Sequence, residues 1–419
     1  MYKQLLSLLS SSALVSICSL LSLSLTIKAI GLEDYSYLML SFSYVCIISS
    51  VFNIQSFDAL IKFMPSYEIK GFRSSLINQL FTTDLITALF TVIIGISIYR
   101  VLFEYFSWNN KTGELYLILL LQGLFNITGT FDGVYRYYKY FSWISIRNTI
   151  CSGIILLLNF YGYQTNRSIY YFAYIMVSTS IIRLIFDITY FFIIKEKISY
   201  KFDFPKSIYK KVIKFNLITN ITKQIDLPVK QFTPIIIASN IPIENVGIYK
   251  LLEKLGAIVG VVISILIQYF GSEISKLIHS GKLQTIMHIG NKFTYLFIIN
   301  SSLLIITFYI LSFFFEKYIP SVILNNLNLI TIYLIYIAIT SSMFYQHTVF
   351  IYSGLEKNAL IIALITNSLY ILLIGLACSK YGLIGVIALQ IIQAITIFII
   401  KNFYIKMVIS KNETTSNIT

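Results

Sequence analysis

Five polar or charged residues stand out in one membrane-length apolar segment, from Ile213 to Ala238. At about 100° per residue, Asn216, Asn220, Lys223, Asp226 and Lys230 share a single helical stripe. Pro228 and Pro234 lie beside them. A charge at the centre of a bilayer-spanning helix costs roughly 2.5–3.5 kcal/mol. Such a row persists only where it faces water, a partner or a substrate. Pro228 lacks the backbone donor of a regular helix and its ring clashes one turn back, so a kink is predicted there.

The elements that must carry this stripe are membrane helices. Hydrophobic residues make up 57% of the 419-residue chain and charged ones 12%, with a mean hydropathy of +0.78. A soluble domain carries about 25% charge. Cys18, Cys46, Cys151 and Cys378 each lie inside an apolar run with no metal-ligand spacing, which points to packed thiols. His279, His288 and His347 are scattered, so neither a metal nor any other cofactor is expected.

A helix needs about 20 mostly apolar residues to cross the hydrocarbon. Charge-free windows occur at 4–27, 35–57, 115–131, 148–166, 255–272, 293–315, 358–379 and 381–400. The stretch 318–355 holds a loop near Pro320 and one further span. Three spans tolerate charge: 77–99 with Asp84, 169–194 with Arg183 and Asp187, and 214–238. The reading is an all-α integral membrane protein of twelve transmembrane helices. The first window is too long for a signal peptide and lacks a small-x-small cleavage site.

Lysine and arginine in the loops set the orientation. With the N-terminus inside, cytoplasmic segments hold 21 of the 32 basic residues, among them Arg136, Lys139 and Arg147 in one loop and seven lysines from Lys195 to Lys214. The opposite face holds six: Lys28, Arg100, Lys111, Arg167, Lys317 and Lys380. Both termini are therefore expected in the cytoplasm, and the net charge of +14 needs no nucleic acid to explain it. Trp108 and Trp143 are predicted at span ends, as interfacial belts require.

The chain also repeats itself loosely. AIGLEDYSYL from Ala29 aligns with NIPIENVGIY from Asn240, Gly133–Arg136 with Gly354–Lys357, and Tyr161-Gly162 with Tyr381-Gly382. The offsets are 211, 221 and 220, about half the chain, and parallel repeats give such a pattern. Two six-helix lobes are predicted at 1–194 and 214–408. They are joined by a cytoplasmic linker at 195–213 and followed by a tail at 409–419.

Twelve spans in two lobes, GLEDYSYL opening helix two, GVYRYYKYF after helix four and IENVGIYKLLEKLG opening helix eight together carry a resemblance. The chain resembles the polysaccharide flippases of the multidrug/oligosaccharidyl-lipid/polysaccharide exporter superfamily, with the O-antigen flippases closest in appearance. The resemblance implies alternating access, a location in the cell inner membrane, and a lipid-pyrophosphate-linked oligosaccharide moved from the cytoplasmic to the outer leaflet. It transfers no catalytic motif, so the site residues rest on this sequence alone.

On that footing Lys223 and Lys230 are expected to line an inter-lobe cavity and meet pyrophosphate or acidic sugars, as compact point charges can. A self-neutralising Lys223–Asp226–Lys230 network is the structural alternative. Arg183 and Asp187, spaced i and i+4, either complete the cavity or form a salt bridge within or between helices. Lys250 and Lys254 open helix eight beside Glu253 and either bind cargo or snorkel to the surface. Arg136 lies in a tyrosine-rich loop, Asp132–Lys139, read as a cytoplasmic mouth or as plain topology. Asp84, Asp187 and Asp226 are the candidate ion-coupling carboxylates, with Asp84 either binding a proton or sodium or simply hydrogen-bonded to a hydroxyl. Gly256 and Gly260 form a small-xxx-small pair that close helix packing explains.

Five basic residues against Asp84, Asp187, Asp226 and Glu253 leave the spans at net +1. A cation-coupled multidrug exporter of the same fold is thus the nearest rival. A membrane-embedded polysaccharide polymerase or glycosyltransferase needs paired acid and base residues in a sizeable loop, and the outer loops are too short. The protein is expected not to be an enzyme. Membrane lipid and polysaccharide assembly proteins are its expected partners besides the cargo.

Overall fold

The computed structural model describes residues 2–54, 56–201, 210–224, 228–257, 324–343 and 355–416, with isolated positions between 285 and 350. Every regular element among them is helical. They run α1 (Tyr2–Phe52), α2 (Phe57–Ile69), α3 (Arg73–Tyr105), α4 (Asn110–Phe125), α5 (Gly129–Tyr137), α6 (Phe141–Gln164) and α7 (Ile169–Ile194). Beyond these come α8 (Lys210–Lys223), a π turn (Pro228–Phe232) and α9 (Thr233–Asn240), then α10 over 244–257, α11 (Leu327–Ser342) and α12 (Glu356–Ser416). Asp226, Gly260, His279 and His347 lie outside the described residues, as do most of the expected spans 255–272 and 293–315.

Helices form here because lipid offers no partner for backbone polar groups, so each segment must satisfy its own. The hydroxyls follow the same rule. In α3, Thr82, Thr83, Thr87 and Thr91 each donate to the carbonyl four residues back, at 2.7–2.9 Å. Six described stretches are long and apolar enough to cross a membrane, and the shorter Leu327–Ser341 is apolar too. Their outward faces carry Ile86, Ile93, Ile96, Leu157, Ile185 and Leu376, all exposed, the reverse of a water-soluble surface.

The breaks between crossings explain where sequence windows begin and end. α1 is two helices that meet at Gly31, with φ 81° and ψ 168°, a backbone region open essentially to glycine. A Cβ there would meet nothing within 4 Å, so conformation and not space demands the glycine. Its counterpart in the repeat is the 241–243 break between α9 and α10. α12 likewise divides at Gly382, φ 60°, whereas Gly162, aligned with it in the repeat, lies inside α6 just before the turn to α7.

Contacts divide the chain into two compact units, Met1–Ile235 and Ile236–Thr419. In the first, α1 packs along α6 and α4, α4 on α7, α3 on α4, and α2 on α5 and α8. In the second, α11 packs on α12. The lobe boundary expected at 195–213 differs from this division, because α8 is fastened to the first unit.

Five local expectations are corrected. The window 35–57 is interrupted at 53–56 and the window 115–131 at 126–128, where polar Asn53, Ser56, Asn126 and Thr128 release the helix. The Asp132–Lys139 stretch is largely the helix α5, not a loop. Arg147, assigned to a cytoplasmic loop, sits inside α6 and is 1% exposed. Trp108 lies between α3 and α4 as expected, but is buried against Tyr44, Tyr99 and Tyr116 and not turned outward. Cys151 and Cys378 are buried thiols, and all four cysteines are free.

Candidate functional site

The most deeply buried charges of the first unit, Arg147, Asp187 and Asp84, belong to two knots. The first is an ion network made by α5, α6 and α7. Arg147 Nη1 donates to Asp132 Oδ1 at 2.8 Å and to Asp187 Oδ1 at 2.5 Å. Arg183 Nη2 donates to Asp132 Oδ2 at 2.7 Å, and Tyr135 donates its hydroxyl proton to the Asp187 backbone oxygen at 2.6 Å. Two cations therefore meet two carboxylates, and three helices share the bridge. Arg183 and Asp187 are not each other's partners: Asp187 faces Arg147 and is fully buried, whereas Arg183 reaches back to Asp132. The i,i+4 spacing put both on one face, but a stronger partner stood on the neighbouring helix.

The second knot is Asp84, fully buried on α3. Its Oδ1 accepts from the Ser56 amide at 3.2 Å; its Oδ2 accepts from the Thr130 amide at 2.8 Å and the Thr130 hydroxyl at 2.7 Å. Ser56 is the residue that starts α2, and Thr130 lies in the first turn of α5. One carboxylate thus caps the positive ends of two half-helices, each beginning at a break inside a crossing. Asn53 ties the same breaks together, donating to the carbonyls of Gly123 at 3.4 Å and Asn126 at 3.2 Å. This is the hydroxyl-bonded alternative foreseen for Asp84, enlarged by two backbone amides.

α8 joins this second knot. Asn216 donates to the Ser56 hydroxyl at 2.9 Å, and Asn220 approaches the Ser50 carbonyl at 3.5 Å. Both asparagines are buried. The stripe read from the sequence therefore does not act as one face. Its asparagine end closes on the first unit, while Lys230, in the π turn, is exposed and without an ion pair among the described residues. α8 ends at Lys223, so a 100° period cannot be carried through to Lys230. Lys223 is in α8, its side chain outside what is described. The helix interruption predicted at Pro228 is present as the π turn, where Thr233 returns its hydroxyl to the Val229 carbonyl at 2.8 Å.

In the second unit Lys250 is buried and held by Glu253 at 2.7 Å, while the adjacent Lys254 is exposed with no ion pair among the described residues. Polar side chains elsewhere in that unit pair off: Gln390 donates to the Tyr249 hydroxyl at 2.7 Å, and Gln393 to Asn367 at 2.6 Å. Gly256 packs where a Cβ would clash with Ile337, which suits close helix approach. Arg136 is exposed and stacked 5.5 Å from the Phe57 ring, at the end of the unit the charge bias assigns to the cytoplasm. Tyr135, expected beside it in a mouth, is instead wholly buried. Among the described residues no group of His, Cys, Asp and Glu could hold a metal ion.

Sequence reasoning missed Asp132 and Arg147, the centre of the ion network, and Ser56 and Thr130, the donors to Asp84. A buried arginine near a span end looks like a loop residue to a charge-bias rule. Only the absence of further charge between Arg147 and Arg167 hinted otherwise.

No protein-family model matches the sequence, and no curated protein matches it. Solved structures do. A multidrug resistance MATE family transporter of the MOP superfamily, in its inward-facing conformation, is similar over 98% of this chain and 96% of its own, with 13% identity and a TM-score of 0.69. A MOP superfamily transporter from Pyrococcus furiosus Vc1 (DSM3638), whose binding pocket of reverse polarity suggests a different function, matches over 98% and 96% at 12% identity and a TM-score of 0.64. A MATE in the bent conformation matches over 99% and 95% at 14% identity and a TM-score of 0.62. The chain has the fold of these transporters.

Proposed function

We propose that this chain is a non-enzymatic membrane transporter that moves an amphiphile by alternating access, and that its cargo carries an anionic head. The observation behind the sign is the unequal treatment of charge. Asp84, Asp132, Asp187 and Glu253 are each engaged by donors or cations, while Lys230 and Lys254 are exposed with no counter-charge among the described residues. A lipid-pyrophosphate-linked oligosaccharide fits that balance, its phosphates meeting Lys230 while the tail stays in lipid. In this reading the protein sits in the inner membrane with both termini in the cytoplasm and works beside polysaccharide assembly proteins. A proton or sodium ion drives the cycle.

The names of the structural neighbours favour a second reading, a cation-coupled multidrug exporter. That cargo needs accessible carboxylates, and the four named above are spoken for. Deleting the gene separates the two. Lipid-linked repeat units should accumulate on the inner leaflet while sensitivity to cationic drugs stays unchanged. Drug hypersensitivity with normal surface glycan would replace the flippase reading by the exporter.

A further inference from the structure

The lysines after α7 and at the start of α8 form a surface that the transport reading does not use. Between Ile194 and Lys201 the backbone is pinned to α3 and its entrance. Arg73 donates to the Ile198 carbonyl, the Tyr200 hydroxyl donates to Asn78 Oδ1, and the Lys201 amide donates to the Ser74 hydroxyl at 2.9 Å. Burial pushes the Tyr200 phenol up, which keeps its proton available for that bond. Ile198 is buried in the same apolar cluster as Ile194 and, from the far side of the linker, Val212, with Phe215 packed against it. Both lysine groups thus flank one core at one end of the first unit.

The charged side chains themselves point away from that core. Lys197, Lys201, Lys210, Lys211 and Lys214 are exposed and Lys195 is half-buried. None of the six has an ion pair among the described residues; Lys195 lies 5.0 Å from the exposed Phe192 ring. Exposed Phe192 and Ile193 on one side, and Leu217 and Ile218 on the other, place the apolar belt directly beside the lysines. A solvated face alone would not require the backbone beneath it to be held rigid.

We propose that Lys195, Lys197, Lys201, Lys210, Lys211 and Lys214 form a preorganised binding surface for anionic phospholipid headgroups of the surrounding bilayer. Clustered lysines immediately beside a crossing attract anionic lipid, and a pinned backbone lowers the ordering cost of doing so. The apolar residues on both sides seat the acyl chains of the same lipids. Transport cargo is not required, so this surface stands or falls apart from the flippase reading.

The full-length protein in detergent micelles holding equal phosphatidylglycerol and phosphatidylcholine supplies the test, with native mass spectrometry counting retained lipid. Wild type should retain phosphatidylglycerol preferentially. Changing all six lysines to glutamine should lower that preference roughly tenfold, and changing all six to arginine should preserve it. A glutamine variant that keeps the wild-type preference, or an arginine variant that loses it, overturns the proposal. A salt titration of the unmodified protein guards against misfolded variants. Raising NaCl from about 50 to about 500 mM should release phosphatidylglycerol selectively, and salt-insensitive retention counts against the proposal.

Discussion

Arg147 and Lys230 are both cations in apolar stretches of the chain, yet Arg147 is 1% exposed between two carboxylates and Lys230 stands exposed with none among the described residues. The contrast separates charges that hold a bundle together from a charge left open to meet something else. In lipid the desolvation penalty forbids idle ions, so each must be matched internally or kept in contact with water or cargo. The first unit takes the internal solution twice, at Asp132–Arg147–Asp187 and at Asp84. α8 takes it only as far as Asn220.

Breaking the internal side of the comparison should have the largest effect on stability. Arg147→Met leaves Asp132 and Asp187 facing each other and should cost about 3–5 kcal/mol, read as a fall in melting temperature in detergent. Adding Asp187→Leu to that variant should recover much of the loss. A single variant that melts like wild type would show that the network is not structural.

Asp84→Ala comes next. It strips the acceptor from the Ser56 and Thr130 amides, at about 1–2 kcal/mol for each amide left unpaired, while the Thr130 hydroxyl can turn to another acceptor. Asp84→Asn keeps one carbonyl acceptor and should lose less stability, while transport falls because the two half-helices are no longer held together. Uptake across an imposed proton or sodium gradient in liposomes measures the second effect, and a wild-type rate would sink it.

Asn216→Ala should cost about 1 kcal/mol, since only the bond to the Ser56 hydroxyl is lost. Lys230→Ala should change stability by under about 0.5 kcal/mol and yet abolish surface glycan, with Lys230→Arg retaining it. Equal glycan at equal expression in the alanine variant would move Lys230 to the structural side of the comparison.

These outcomes track what the sequence could and could not reveal. Spans, and the pauses at Gly31, 241–243 and Gly382, follow from apolar length, a glycine-only backbone and proline, all of them local properties. Asn216 and Asn220 were legible as one face because α8 is a regular helix up to Lys223. Lys230 was legible as a residue but not as a direction, because a π turn resets the register. Asp132, Arg147 and Asp187 come from three helices, and Asp84 draws its donors from positions 28 and 46 residues away. Side-chain periodicity within one helix contains no term for such partners, so the knots appear only once the helices are packed.

Asp84's double grip has a consequence for anyone who recombines this chain with a distant relative. Ser56, Asp84 and Thr130 sit on three successive crossings yet work as a single fastening, so exchanging one crossing would leave two frayed helix starts and an orphaned acid in hydrocarbon. Chimeras should tolerate junctions that move the three together and keep Asp132 with Arg147 and Asp187, such as one after Lys201, and fail at junctions drawn between them. Any interchangeable piece of this region must carry Ser56, Asp84 and Thr130 as one.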